Sequence, residues 1–69
     1  MQKEHVCNSV LEIRKNLRIT QQNLAEIVDV SRQTIISIEK GNYTPSVLLA
    51  LKIANALSSS VENLFSIKK

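Results

Sequence analysis

The 69-residue chain carries nine Lys and Arg against six Asp and Glu, a formal charge of +3, with 43% hydrophobic and 22% charged residues. That length allows one domain, residues 1–69, burying only about 60% of the surface it exposes when unfolded, so oligomerisation would add stability. One Cys cannot close an internal disulfide and one Cys with one His cannot build a structural zinc site, so no metal and no cofactor is expected. Cys7 reads as a reduced thiol in a cytoplasmic protein. No stretch approaches the roughly 20 apolar residues of a membrane span, and Met1-Gln2-Lys3-Glu4-His5 has no apolar signal core. The basic balance fits a polyanionic partner without demanding one.

The first helix is predicted from about Asn8 to Leu17, with Val10, Ile13 and Leu17 on one face of a 3.6-residue period and Asn8 or Ser9 as its cap. A second begins after Thr20, whose hydroxyl can take an orphan backbone N–H. Its buried stripe is Leu24, Ala25, Ile27 and Val28, and it ends near Asp29. So short a helix is not stable alone and must be held by packing. Ser31 caps a third, Arg32 to about Lys40, with Ile35 and Ile38 facing inward and Gly41 stopping it. Gly41 to Pro45 form a turn-rich loop. Ser46 caps a fourth helix, Val47 to Leu57, whose Leu48, Leu49, Leu51, Ile53, Ala54 and Leu57 make it the central core helix. Ser60 caps a last one, Val61 to Phe65, and the tail Ser66-Ile67-Lys68-Lys69 reads as extended.

Thr20 to Glu39 is the informative stretch. Two short helices, each capped by a hydroxyl residue, flank a turn of about three residues centred on Asp29-Val30. This is the layout of a helix-turn-helix, whose second member enters the DNA major groove. Ala25 suits the closest approach of the two helices, Val30 plugs the core from the turn, and Asp29 tolerates a left-handed backbone. With successive residues 100° apart, Arg32, Gln33, Ile36 and Ser37 spread over the face opposite Ile35 and Ile38. Arg bonds bidentately to guanine and Gln to adenine, while Ile36 can cover a thymine methyl; these four are the expected base contacts. Gln21 at the start of the second helix, with Thr34, Lys40, Asn42 and Tyr43 along and after the third, are the expected phosphate contacts.

Residues 10–65 resemble the Cro/repressor-type (Xre family) helix-turn-helix domain. The matching blocks are Leu24-Ala25-Glu26, Val30-Ser31-Arg32-Gln33-Thr34-Ile35, Ile38-Glu39-Lys40-Gly41, Tyr43-Thr44-Pro45-Ser46, Leu49-Ala50-Leu51-Lys52-Ile53-Ala54 and Glu62-Asn63-Leu64-Phe65. The resemblance implies an all-α, five-helix lambda-repressor-like fold, and an Arg14–Glu39 link between the first and third helices. It also implies dimerisation through the C-terminal part: Asn63, Leu64, Phe65 and Ile67, with the end of the fourth helix. In the shortest members the chain ends pair as strands, which here means His5-Val6-Cys7 with Phe65-Ser66-Ile67. Asp29 and Ser58 stand where the family usually has glycine, and Arg18 where a glycine often ends the first helix.

The resulting expectation is a transcriptional regulator that binds double-stranded operator DNA. It acts as a homodimeric repressor on an inverted repeat, with no membrane association and no small-molecule ligand. A protein-interaction module of the same fold, such as an antitoxin, is the competing class. Catalysis is disfavoured: His5 lies near the chain end, Cys7 has no evident base partner, and no paired carboxylates or glycine-rich phosphate loop occur.

Overall fold

Four hydroxyl residues set where helices begin. In the computed structural model, which describes residues 4–68, the side chains of Thr20, Ser31, Ser46 and Ser60 accept the backbone N–H groups of Asn23, Thr34, Leu49 and Asn63. Each bond satisfies a first-turn donor that the helix itself cannot. The elements in chain order are β1 (His5–Asn8), α1 (Val10–Asn16), α2 (Gln21–Val28), α3 (Arg32–Glu39), α4 (Val47–Ala56), α5 (Val61–Leu64) and β2 (Phe65–Lys68). Five helices and a short two-stranded ribbon match the expected fold class.

Helix ends are as local as the starts. Asp29 closes α2 in the left-handed region (φ 62°, ψ 50°), Arg18 and Ser58 follow α1 and α4 at φ 59° and 52°, and Gly41 follows α3 at φ 81°. Three of these four turns therefore place a side chain where a Cβ costs about 1–2 kcal/mol. Arg18 is exposed, so Arg18→Gly should raise stability by about 0.5–1 kcal/mol once the extra backbone entropy of glycine is subtracted. Denaturant unfolding checks this; a loss of stability would mean that the Arg18 side chain has a role beyond its backbone.

The core forms where α4 meets α2 and α5, with α3 packed against α2. Val10, Leu24, Val28, Ile35, Ile38, Ile53 and Leu64 are its largest fully buried side chains. α4 contributes Leu49, Ile53 and Ala54, with Leu57 at its end, but α2, packed on both α3 and α4, lies between them. Several residues placed inside from the sequence lie outside. Ile27 is 60% exposed, Leu48 64%, Leu51 54% and Leu17 47%. On α2 the buried Leu24, Ala25 and Val28 span an arc of roughly 100°, and Ile27 falls about 60° beyond its edge. On α4 the buried arc from Leu49 to Ala54 leaves Leu48 and Leu51 on the far side.

Two boundaries also shift. The first helix starts at Val10, because His5–Asn8 is a strand, and the last ends at Leu64, because Phe65 opens β2. The ribbon is antiparallel, pairing His5 with Lys68, Val6 with Ile67, Cys7 with Ser66 and Asn8 with Phe65. Expected pairing of the chain ends is thus present; Lys69, placed in the extended tail, lies outside the described residues. Two four-residue strands are marginal alone. Packing of Phe65 on the core and the Ser9 N–H donated to the Leu64 carbonyl at 2.8 Å fasten them to the helices.

Candidate nucleic-acid interface

α2 and α3 pack across Ala25, which is fully buried and small enough to let the helices approach. The left-handed Asp29 reverses the chain, and the Val30 N–H donates to the Ala25 carbonyl at 2.9 Å, pinning the turn to α2. Val30 is partly buried against the core, as expected of a plug. The inward pair of α3, Ile35 and Ile38, is fully buried, which fixes the rotation of the helix and so decides which side chains point out. Arg32 and Gln33 are exposed, and Ile36 and Ser37 are half-buried.

An ion pair holds the far end of α3. Arg14 Nε donates to Glu39 Oε2 at 2.6 Å and its second guanidinium arm reaches Oε1 at 3.3 Å, while the remaining arm donates to the Ile19 carbonyl at 2.8 Å. Both side chains are nearly sealed from solvent, at 8% and 4% exposure. The link inferred from family resemblance is therefore present. Gln21 joins it: its Nε2 donates to Glu39 Oε1 at 2.9 Å. One carboxylate thus ties together α1, α2 and α3.

The outward residues fall into groups. Gln33, Thr34, Ser37, Asn42 and Tyr43 line one open cleft beside α3. That cleft unites two residues expected to read bases with three expected to grip phosphates. Gln33 Nε2 lies 3.5 Å from Ser37 Oγ, so the amide lies along the helix. The Asn42 N–H donates to the Ser37 carbonyl at 2.9 Å, which folds the loop back against α3. Thr34 shares its hydroxyl with Ser31 at 3.0 Å. Arg32, Ile36, Lys40 and Gln21 lie outside the cleft lining. Lys40 is exposed and Tyr43 is 47% exposed, leaving its ring available at the rim. Gln21 is half-buried, with one amide hydrogen already committed to Glu39. Sequence reasoning did not see that commitment, because it depends on how three helices meet.

A family model described as helix-turn-helix matches residues 10–64. The chain belongs to the Xre-type helix-turn-helix family. Among relatives, it is 50% identical over 58 residues to the HTH-type transcriptional regulator YgzD of Bacillus subtilis, covering 84% of this chain and 88% of that one. It is 53% identical over 57 residues to an HTH-type transcriptional regulator of Methanothermobacter thermautotrophicus, covering 81% and 83%. Solved structures agree with the fold. The restriction-modification controller protein C.AhdI of Aeromonas hydrophila superposes with a TM-score of 0.74 at 26% identity, covering 78% of this chain and 82% of that one. The clp gene regulator ClgR of Corynebacterium glutamicum also gives 0.74, at 28% identity and 77% coverage, with this chain spanning 56% of its length. As a member of the Xre-type family, the chain is a DNA-binding transcriptional regulator of the helix-turn-helix class.

The C-terminal residues expected to meet a second copy divide in two. Asn63 and Ile67 are exposed and Phe65 is half-buried, but Leu64 is 1% exposed inside the core and has no side-chain surface left for a partner. The reason is local: Leu64 ends α5 on its inward side, and the chain then switches to strand at Phe65, which is only partly covered. Phe65 belongs to a second group whose other members went unseen in the sequence. Val6, Thr44, Pro45, Val47, Ala50, Val61 and Phe65 line an apolar groove built from both strands, α4, α5 and the loop before α4. Val47 directly after the Ser46 cap was the available signal.

Proposed function

We propose that this regulator is a sequence-specific repressor that binds an inverted-repeat operator as a homodimer in the cytoplasm, without enzymatic activity. The presentation of α3 carries the reading: a helix fixed by buried Ile35 and Ile38 and by Glu39, with Arg32 and Gln33 free to enter a major groove. Arg32, Gln33, Ile36 and Ser37 would meet base edges. Gln21, Thr34, Lys40, Asn42 and Tyr43 would meet phosphates and set the register. Two such helices related by a dyad span successive major grooves about 34 Å apart.

The apolar groove supports the dimer. At about 180 Å³ it is smaller than the roughly 300–1,000 Å³ of small-molecule pockets, so it suits side chains of a second copy better than a metabolite. Phe65 lines the groove, Ile67 pairs across the ribbon with its Val6, and Val47 at 78% exposure offers a protruding apolar group. Repression follows from occluding the polymerase. Among the described residues no helix is long and apolar enough to cross a membrane.

The experiment is selection of bound sites from random duplex DNA, followed by binding of variants. Enrichment of an inverted repeat supports the reading; enrichment of nothing, with weak salt-sensitive binding, would sink it in favour of a protein partner. On the enriched site, Arg32→Ala should cost about 1–3 kcal/mol and relax the preference at one base pair, whereas Gln21→Ala should weaken all sequences alike. An equal loss for Arg32→Ala on random DNA would reduce Arg32 to a phosphate contact.

A further inference from the structure

Asn8 uses both ends of its amide, and between different elements. Its Oδ1 accepts the Val10 N–H at 3.1 Å, which closes the turn from β1 into α1. Its Nδ2 donates to the Ile38 carbonyl in the last turn of α3 at 2.8 Å, across 30 residues of chain. The Ile38 carbonyl also accepts the Gly41 N–H at 3.0 Å. Since a carbonyl has two lone pairs, the Asn8 bond adds to the helix-end bonding rather than replacing any of it. It therefore contributes little to forming α3 and much to locating it.

The other side of that bond is the ribbon. Asn8 is the last residue of β1 and pairs with Phe65. Val6 of β1 and Phe65 of β2 also line the apolar groove. The ribbon thus touches the groove with one part and the C-terminal turn of the recognition helix with another, and Asn8 is the side chain that joins them. Few residues fit the role, because it needs a donor and an acceptor on one short planar group.

We infer that Asn8 is a positioning residue for DNA recognition: by clamping the last turn of α3 to the ribbon, it fixes the separation and tilt of the two recognition helices, and hence the half-site spacing that the dimer accepts. This rests on the dimeric-operator reading above. A rigid link makes one spacing strongly preferred; a loosened one lets each α3 settle on its half-site independently and broadens the choice.

The test uses the full chain and duplexes carrying the half-site recovered from the random-duplex selection. Inverted pairs are spaced around the one-turn separation of about 10 base pairs, with a single half-site as control. Asn8→Asp keeps the acceptor for the Val10 N–H but places an oxygen against the Ile38 carbonyl. Asn8→Ser keeps a capping hydroxyl too short to span to α3, and stands in if the aspartate variant does not fold. For wild type, one spacing should dominate. In the variants that preference should fall by about threefold to tenfold, the worth of one hydrogen bond, while single half-site binding changes by less than about twofold. A uniform loss on every duplex with an unchanged spacing profile would overturn the inference and leave Asn8 as a merely structural contact. Absence of any spacing preference in wild type would instead overturn the dimeric-operator reading, and the inference with it.

Discussion

Glu39→Ala should destabilise the chain by about 3–5 kcal/mol, because it leaves the Arg14 guanidinium buried beside a single carbonyl. It also strips the Gln21 amide of its partner. At about 0.05–0.15 kcal/mol per residue, a 69-residue chain has roughly 3–10 kcal/mol in hand, so the variant should lose from about a third to all of its stability in the absence of DNA. Urea unfolding followed by circular dichroism measures this. The double variant Arg14→Met/Glu39→Leu separates two effects. Replacing a whole buried pair by apolar groups is often neutral or stabilising, so it should recover most of the stability lost in Glu39→Ala. Its DNA affinity should not recover equally, since Gln21 still lacks the carboxylate that aligns it. A cost under about 1 kcal/mol for Glu39→Ala would mean that water reaches the pair and that its burial is not what holds α3.

How much of this was legible beforehand depends on the range of the forces involved. All four hydroxyl caps were readable, because a cap bond spans three residues and its partners are adjacent in sequence. The left-handed Asp29 was readable for the same reason, as a turn between two capped helices. Facing was harder. On α3 the inward pair Ile35 and Ile38 stood out against mainly polar neighbours, although Ile36, read as outward, is half-buried, whereas α4 is apolar nearly all round and gives no periodic contrast. Leu48 and Leu51 therefore looked no different from Leu49 and Ile53, and only the packing of α2 and α5 decides between them. Long-range contacts were harder still. The Arg14–Glu39 pair and the ribbon came from family resemblance; nothing in their spacing announces them. Gln21 bonding to Glu39 and Asn8 bonding to Ile38 came from neither source, since each depends on the relative placement of elements 18 and 30 residues apart. For the expected DNA contacts, residue chemistry carried the reading; Gln33, Ser37, Thr34, Asn42 and Tyr43 share a cleft because the loop after α3 folds back on it.

Leu64→Asp and Val47→Asp should fail in different ways, and the contrast separates core from interface. Leu64 is 1% exposed, packed with the core. Removing a buried leucine side chain already costs about 2–5 kcal/mol, and a carboxylate in its place adds desolvation, so this variant should not fold. Val47 is 78% exposed in the first turn of α4. An aspartate there leaves the protomer within about 0.5 kcal/mol of wild type, because surface changes are small and negative charge is welcome at a helix N-terminus. In a two-fold dimer, however, the same surface is presented by both copies, so one substitution puts two carboxylates at the apolar face. Sedimentation should then show a folded monomer, and affinity for an inverted repeat should fall toward that for one half-site. A folded monomeric Leu64→Asp would make the C-terminal segment an interface rather than core. A Val47→Asp variant that stays dimeric would move the second copy off the groove, and the spacing role of Asn8 would have to act through a different face.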